Sequence, residues 1–467
     1  MEQTSAPAPP TGSPPHRPQG TALLLTALVL AVVACQLCIS MPTPALPDIT
    51  RRLHTTTAVV GLAQALFFLL GGLLSVILAA CSDYGRTRAL MAGALTLAVV
   101  GSVLAALAPS VVVFVAGRAL QSAATAVFPL ALRVMREALP RREFGRAMGL
   151  ITAANGGIVG LDGLLSGWLT DRYGFRTVFA VMAGFGVLTM AVLLRAVPES
   201  ARVPHGRLDR RGLALLSLAV ACVELGIGTA GRVPTAAAAG TAVVGLVLFG
   251  VFLADARDRP GALFPPGYLR SRQAWPVLLT SAFVTMGMLS TINFVIPVFS
   301  QNRAFGYGLS ATGAALLFIV PVCAVNVLMA PAVGALAARV GWRRVLRAST
   351  ALTVPVLAAL ALGLGQQWLV VALVVLVGFG LAGAMTPLNG LSAMLAPAGQ
   401  PSLLPGVNSA AYGIGSSLGF LLTSRLAGPD AATGFRAALW LVTGVIALAL
   451  VTSLLIEGRS GRPEERI

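Results

Sequence analysis

Short polar loops divide this chain into fourteen apolar stretches. A run of about 20 apolar residues is long enough to cross a bilayer as a helix. The loops between the stretches alternate between arginine-rich and arginine-poor. Loops rich in Lys and Arg stay in the cytoplasm, so this alternation sets an orientation. With the N-terminus inside, Arg51, Arg52, Arg172, Arg176, Arg232, Arg303, Arg425 and Arg436 fall outside. Arg118 lies within a span, and all the other arginines fall inside. The opposite orientation reverses the bias. The sequence therefore predicts an all-α membrane protein of 14 spans, at 21–41, 57–81, 88–107, 110–131, 147–169, 177–197, 212–231, 234–254, 274–298, 309–333, 346–365, 368–390, 404–424 and 436–456. The uncharged run from Ala348 to Ser424 must hold three helices, with breaks at 363–368 and in the proline-rich 396–405.

Composition agrees. A chain 57% hydrophobic and only 10% charged exposes too much apolar surface to be a soluble domain. All 33 basic residues are arginine, and the net charge is +17. These arginines sit in islands between spans rather than in a basic domain, so they point to anionic inner-leaflet lipid and not to nucleic acid. The five cysteines lie in or at the ends of apolar stretches and read as buried thiols. Residues 1–20, rich in Pro, Ser and Thr, read as a disordered cytoplasmic tail, and 457–467 as a second one. No Walker loop, zinc spacing or Ser/His/Asp set occurs, and His16, His54 and His205 fall in the tail or loops. The expectation is a monomeric, gradient-driven protein without cofactor, not an enzyme.

A glycine–arginine signature recurs at span exits: Gly85-Arg86-Thr87-Arg88, Gly174-Phe175-Arg176, Gly341-Trp342-Arg343-Arg344 and Gly434-Phe435-Arg436. Within each block of six spans it returns three spans later on the opposite face, the imprint of inverted three-helix repeats. This divides the chain into two pseudo-symmetric six-helix bundles, 21–197 and 274–456. A linker at 198–273 carries two inserted transmembrane helices.

These motifs resemble those of the major facilitator superfamily, and within it the fourteen-span drug:proton antiporters. The loop after span 2 is similar to the superfamily's signature, with Asp83, Gly85, Arg86 and Arg88, although Ser82 stands where the signature's acid is expected. Its cognate after span 10 keeps Gly334, Arg339, Gly341 and Arg343, with Ala338 at the acid's position. The resemblance implies that Asp83, Gly85, Arg86, Arg88, Arg339, Gly341 and Arg343 form a cytoplasmic latch between the bundles. Span 4 carries Arg118-Ala-Leu-Gln121, similar to the family's R-x-x-Q motif. Span 5 resembles the glycine-rich antiporter helix, with Asp162-Gly163 in place of its Gly-Pro pair. Pro198-Glu199 with Gly206-Arg207-Leu208-Asp209, and Ala45-Leu46-Pro47-Asp48-Ile49 ending span 1, fit the fourteen-span branch.

Independently of any family, Arg118, Asp162 and Glu224 lie well inside spans. Each costs about 2.5–3.5 kcal/mol at a helix centre, tolerable only when it faces protein or water. Helical spacing puts Arg118, Gln121, Ser122 and Thr125 on one stripe of span 4. It puts Asn155, Asp162 and Ser166 on one stripe of span 5, beside a stripe of Gly156, Gly160, Gly163 and Gly167 that invites close helix packing. The expectation is that Asp162 carries a coupling proton with Arg118 as its charge partner; a static Arg118–Asp162 pair that only locks the bundle is the rival. Glu224 is either a second proton site or a structural polar contact. Gln36, Ser40, Gln121, Thr125 and Asn155 of the first bundle are expected to line a substrate cavity. So are Asn293, Asn326, Thr386, Asn389, Asn408 and Tyr412 of the second, with apolar walls between them. Most of the phenylalanines are expected to face lipid. The expected activity is proton-coupled efflux of an amphipathic compound across a bacterial inner membrane, with both termini cytoplasmic. A facilitator or importer of a small polar metabolite, and a non-transporting sensor or scaffold on a transporter fold, are the alternatives.

Overall fold

The computed structural model describes residues 18–82, 86–139, 158, 160–199, 210–229, 234–257, 271–395, 403–427 and 432–456, and every element among them is helical. Helix α1 (Pro18–Ser40) bends at Met41 into the short α2 (Pro42–Arg52), whose last-turn arginines share the carboxylate of Asp48. Helices α3 (Thr57–Ser82) and α4 (Thr87–Leu107) follow. Then α5 (Val111–Gln121) tightens through a 3-10 turn, Ser122–Ala126, into α6 (Val127–Ala138). Next come α7 (160–173), α8 (Phe175–Ala196), α9 (Arg210–Thr229) and α10 (Thr235–Arg257).

The second half is less regular. Helix α11 (Trp275–Val284) passes through two π turns, Thr285–Leu289 and Thr291–Val295, into α12 (Ile296–Gln301). A third π turn, Ala315–Ile319, joins α13 (Ala311–Ala314) to α14 (Val320–Val340). Helices α15 (Trp342–Leu362), α16 (Gln367–Met394), α17 (Leu403–Leu426) and α18 (Ala432–Leu454) complete the chain. The break expected at 363–368 falls between α15 and α16.

Ten helical runs among the described residues are long and apolar enough to cross a membrane, and Ala236–Phe252 within α10 is a shorter one. By this measure the count stands at ten, not the fourteen expected from the apolar stretches. The shortfall has physical reasons. Expected span 5 begins in 147–157, outside the described residues. Helix α17 carries Asn408, Ser416, Ser417, Thr423, Ser424 and Arg425, which dilute its hydropathy. It tolerates them because most of these side chains are buried against other helices rather than lipid.

The helices group by packing. Helices α1, α3, α4, α5, α6 and α8 pack on one another, and α11, α14, α15, α16, α17 and α18 do likewise. The longest seam between the groups is α3 against α17. There a Cβ on Gly72 would come within 3.2 Å of Gly413 Cα, and Phe68 stacks on Phe420 at 5.1 Å. Such backbone approach needs small residues. Helices α9 and α10 pair with each other, and α9 touches α3 and α17.

Two of the four repeated glycines act as turns with left-handed backbone. Gly174 (φ 87°) donates to Leu169 O and Thr170 O, ending α7 and opening α8. Gly341 (φ 107°) separates α14 from α15. Gly434 instead lies inside the first turn of α18, because that helix starts earlier, at Ala432. Gly85 lies outside the described residues.

A buried polar network around the end of the first helix

The last turns of α1 present Gln36, Cys38 and Ser40 to two neighbours. On one side stands α5 with Arg118, fully buried. Its guanidinium donates to Cys38 O at 3.0 Å, to Gln121 Oε1 at 2.7 Å and to Gln64 Oε1 of α3, and it lies 4.2 Å above the Phe67 ring. The stripe of Arg118 and Gln121 on α5 is as expected from spacing. Gln121 extends it, donating to Ser102 Oγ of α4 at 2.7 Å. Glycines make this reach possible: a Cβ on Gly117 would lie 2.7 Å from Gly101 O, so the α4 and α5 backbones touch. Thr125, in the 3-10 turn, lies 2.7 Å from Gly71 O and 2.9 Å from Ser122 O.

On the other side stands α7 with Asp162, only 2% exposed. Its Oδ2 accepts from Ser40 Oγ, while Oδ1 has no donor among the described residues. Ser40 also lies 2.9 Å from Gln36 O. Its single hydroxyl proton thus has two acceptors. With the carboxylate charged, Ser40 donates to Asp162. With the carboxyl protonated, Asp162 can donate to Ser40 and Ser40 to Gln36 O. Turning one hydroxyl thus keeps Ser40 hydrogen-bonded in either protonation state of the carboxyl.

The glycine stripe of α7 faces the other helix group. A Cβ would lie 3.4 Å from Cys323 Cβ at Gly160, 3.0 Å from Ile319 at Gly163 and 2.7 Å from Thr312 Cα at Gly167. Asp162 therefore sits where the two groups meet. Arg118 and Asp162 do not form the ion pair expected from sequence. The guanidinium is held by neutral acceptors and an aromatic face, and the carboxylate by a hydroxyl. They bond to different residues of α1, two positions apart.

The remaining expected residues scatter. Asn155, Asp83 and Gly85 lie outside the described residues, as does the side chain of Glu224 on α9. Asn293 and Asn326 turn back onto their own helices, donating to Leu289 O at 3.2 Å and Val322 O at 3.1 Å. Thr386 is half-buried and Asn389 exposed. Asn408 is buried, with no donor to Oδ1 among the described residues, and Tyr412 O accepts from Thr285 and Ser416. Most of the phenylalanines are expected to face lipid, but Phe67, Phe114, Phe179, Phe294, Phe318 and Phe420 are among many that are buried in protein. Of the expected latch, Arg86 (φ 66°) and Arg339 are exposed and Arg88 and Arg343 half-buried. Ser82, where the signature's acid is expected, accepts from Arg133 Nη1 of α6 at 3.2 Å.

Sequence reasoning missed Gln64, Ser102 and Asp171. Gln64 alone could have been found, as an amide in an otherwise apolar helix. Asp171 at the end of α7 crosses between the helix groups. Its carboxylate accepts from Ala311 N at 2.9 Å, Thr312 N at 2.8 Å and Thr312 Oγ1 at 2.5 Å, capping α13. Nearby, Gln301 Nε2 donates to Pro44 O at 3.1 Å. Both contacts close the molecule at the end that carries α2. Partial burial pushes the Asp171 carboxyl up, but the hydrogen bonds from Thr312 and Ala311 outweigh it and hold the pKa below the ordinary carboxylate value. A depressed pKa means the cap is in place above the usual value of about 4 and is lost as pH falls through the lower folded value. Asp171→Ala should therefore loosen this end at every pH from about 5 to 8, by about fivefold in the open-to-closed ratio for hydrogen bonds this exposed. Spin-label distances between exposed positions 172 and 303 measure it; an unchanged distance distribution would show that the cap holds nothing shut.

The sequence profile of the Major Facilitator Superfamily matches residues 28–420, and again 278–466. The uridine/deoxyuridine transporter of Lactococcus lactis subsp. cremoris is 31% identical over 410 residues, covering 85% of each chain. The multidrug resistance protein Stp of Mycobacterium tuberculosis is 31% identical over 404 residues, covering 80% of this chain and 70% of that one. Among solved structures, an inward-facing, occupied bacterial homolog of the human lysosomal transporter Spinster superposes with a TM-score of 0.69 at 15% identity, over 95% of this chain and 97% of that one. The peptide transporter POT in complex with sulfate gives 0.71 at 15% identity, over 96% and 95%.

Proposed function

The chain belongs to the Major Facilitator Superfamily, and on that premise we propose that it is a proton-coupled secondary transporter that exports an amphipathic compound across a bacterial inner membrane. The observation that carries the coupling is Asp162 hydrogen-bonded to Ser40: a buried carboxyl at the meeting of two helix groups, with one oxygen lacking a donor among the described residues. Rocking of one group against the other would wet that oxygen from alternate sides, loading and releasing a proton. One pH unit supplies roughly 1.4 kcal/mol per proton. A potential of 100 mV adds about 2.3 kcal/mol per charge.

The proposal keeps the division into bundles 21–197 and 274–456, with α9 and α10 as the inserted pair, and both termini in the cytoplasm. It counts α7, α9, α10 and α17 as spans beyond the more apolar helices, giving fourteen, as in the drug:proton antiporters. In this orientation the end closed by Asp171 is external. The protein works as a monomer on protons and a small-molecule substrate in lipid, without a cofactor.

A second reading, transport of a small polar solute, has two supports. One is the relative named for uridine and deoxyuridine. The other is a set of buried polar atoms without partners among the described residues: Gln64 Nε2, Arg118 Nε and Asn408 Oδ1. Flux in vesicles under an imposed pH gradient, with labelled uridine and a fluorescent lipophilic cation as rival substrates, decides between them. Extrusion of the cation driven by the gradient supports efflux. Uptake of uridine alone overturns it, and no movement of either removes both.

A further inference from the structure

Three membrane-length runs reach one level of the molecule together: one ends at Val340, the next starts at Trp342 and a third ends at Met394. At that level a cavity of about 270 Å³ opens between α14, α15 and α16. Arg343, Arg344 and Arg347 line it together with Trp342, Leu391 and Met394. The arginines are not equally engaged. Arg347 donates to Ser453 O and Leu454 O, at 3.2 Å each, and ties the end of α18. Arg344 makes only a long 3.4 Å contact to Val340 O of the preceding turn. The Arg343 guanidinium has no acceptor among the described residues. Among the described residues, no carboxylate lines the cavity. Val340 and Met394, which also line the cavity, are exposed, as is Leu336 one helical turn before Val340 on α14, so apolar surface adjoins the arginines.

We propose that this cavity binds the phosphodiester headgroup of an anionic phospholipid, with Arg343 and Arg344 on the phosphate and an acyl chain along Leu336, Val340 and Met394. Guanidinium forks match phosphate oxygens in pairs. Basic pockets between transmembrane helices at headgroup depth hold such lipids. A free phosphate would satisfy the arginines but leave the exposed Leu336, Val340 and Met394 uncovered, so the arrangement favours the lipid. Arg343, read from sequence as part of a latch, here meets lipid from the side of the helix group instead.

The test uses the full-length protein purified in mild detergent. Native mass spectrometry counts lipids retained after incubation with mixed micelles of phosphatidylglycerol and phosphatidylcholine, in wild type and in R343A/R344A. Wild type should retain phosphatidylglycerol preferentially. The double variant should lose that preference by more than about tenfold, since each guanidinium contributes about fivefold. R343K/R344K should recover part of it. Equal retention of both lipids by wild type overturns the proposal without reference to any variant. So does unchanged phosphatidylglycerol in R343A/R344A. Inorganic phosphate is the third arm: if millimolar phosphate displaces the bound lipid completely, the site is a plain anion site and the lipid assignment fails.

Discussion

Vesicles carrying Asp162→Asn are expected to lose the response of substrate flux to an imposed pH gradient, while exchange of substrate down its own gradient survives. The argument is local. The substituted amide would keep an oxygen to accept from Ser40, so the packing around α1 and α7 survives. It has no proton to load or release. A coupled transporter holds about a tenfold substrate gradient per pH unit for each proton moved, and the variant should hold none. Ser40→Ala probes the same carboxyl from the other side: it leaves the carboxyl in place but removes the hydroxyl that donates to its charged form, so coupling should slow rather than vanish. Proton release measured with a pH-sensitive dye on adding substrate reads both directly. Undiminished release from Asp162→Asn would move the coupling site elsewhere, with Glu224 as the next carboxyl to examine.

The second large effect is expected at Arg118. Replacing it with Ala strips a donor from Gln64 Oε1, Gln121 Oε1 and Cys38 O at once. All three acceptors are buried, and each orphaned acceptor costs about 1–3 kcal/mol. Arg118→Ala should therefore lower thermal stability in detergent markedly and abolish transport. Arg118→Lys is the more informative variant. An ammonium keeps the charge over Phe67 but cannot fork to three acceptors on three different helices. It should fold better than the Ala variant yet transport poorly, because α1, α3 and α5 are no longer held in register. Near-native flux in Arg118→Lys would show that charge alone matters there, and that the fork to Gln64 and Cys38 is incidental.

The sequence was most legible where lipid imposes a rule. Bilayer thickness set the apolar lengths, so the break near 363–368 and the helix beginnings at Thr57, Thr87 and Trp275, expected at 57, 88 and 274, were legible to within a residue. Period 3.6 placed Arg118 with Gln121, and Gly160, Gly163 and Gly167 on a packing face, because a helix carries its own register. It was less legible where partners come from distant segments. Gln64 reaches Arg118 across 54 residues, and Ser40 reaches Asp162 across 122. The Arg118–Asp162 pair was a natural guess from two opposite charges at similar depth. It failed because α1 supplies each charge with its own neutral partner. The π turns Thr291–Val295 and Ala315–Ile319 each end two residues before a proline, Pro297 and Pro321, whose missing N–H breaks the helical ladder, but a proline alone does not say which turn will widen.

What the amino-acid order determined by itself is the class: helices of membrane length, arginines in the loops between them, and a few ionisable groups that lipid could not tolerate. These follow from solvation, which acts on each residue wherever it sits. Which side chains meet was decided only by the tertiary structure. The Asp162–Ser40 hydrogen bond, the Asp171 cap on α13 and the arginine cavity beside Trp342 each join segments whose approach depends on how helices cross, and crossing angles are set by packing among many residues at once.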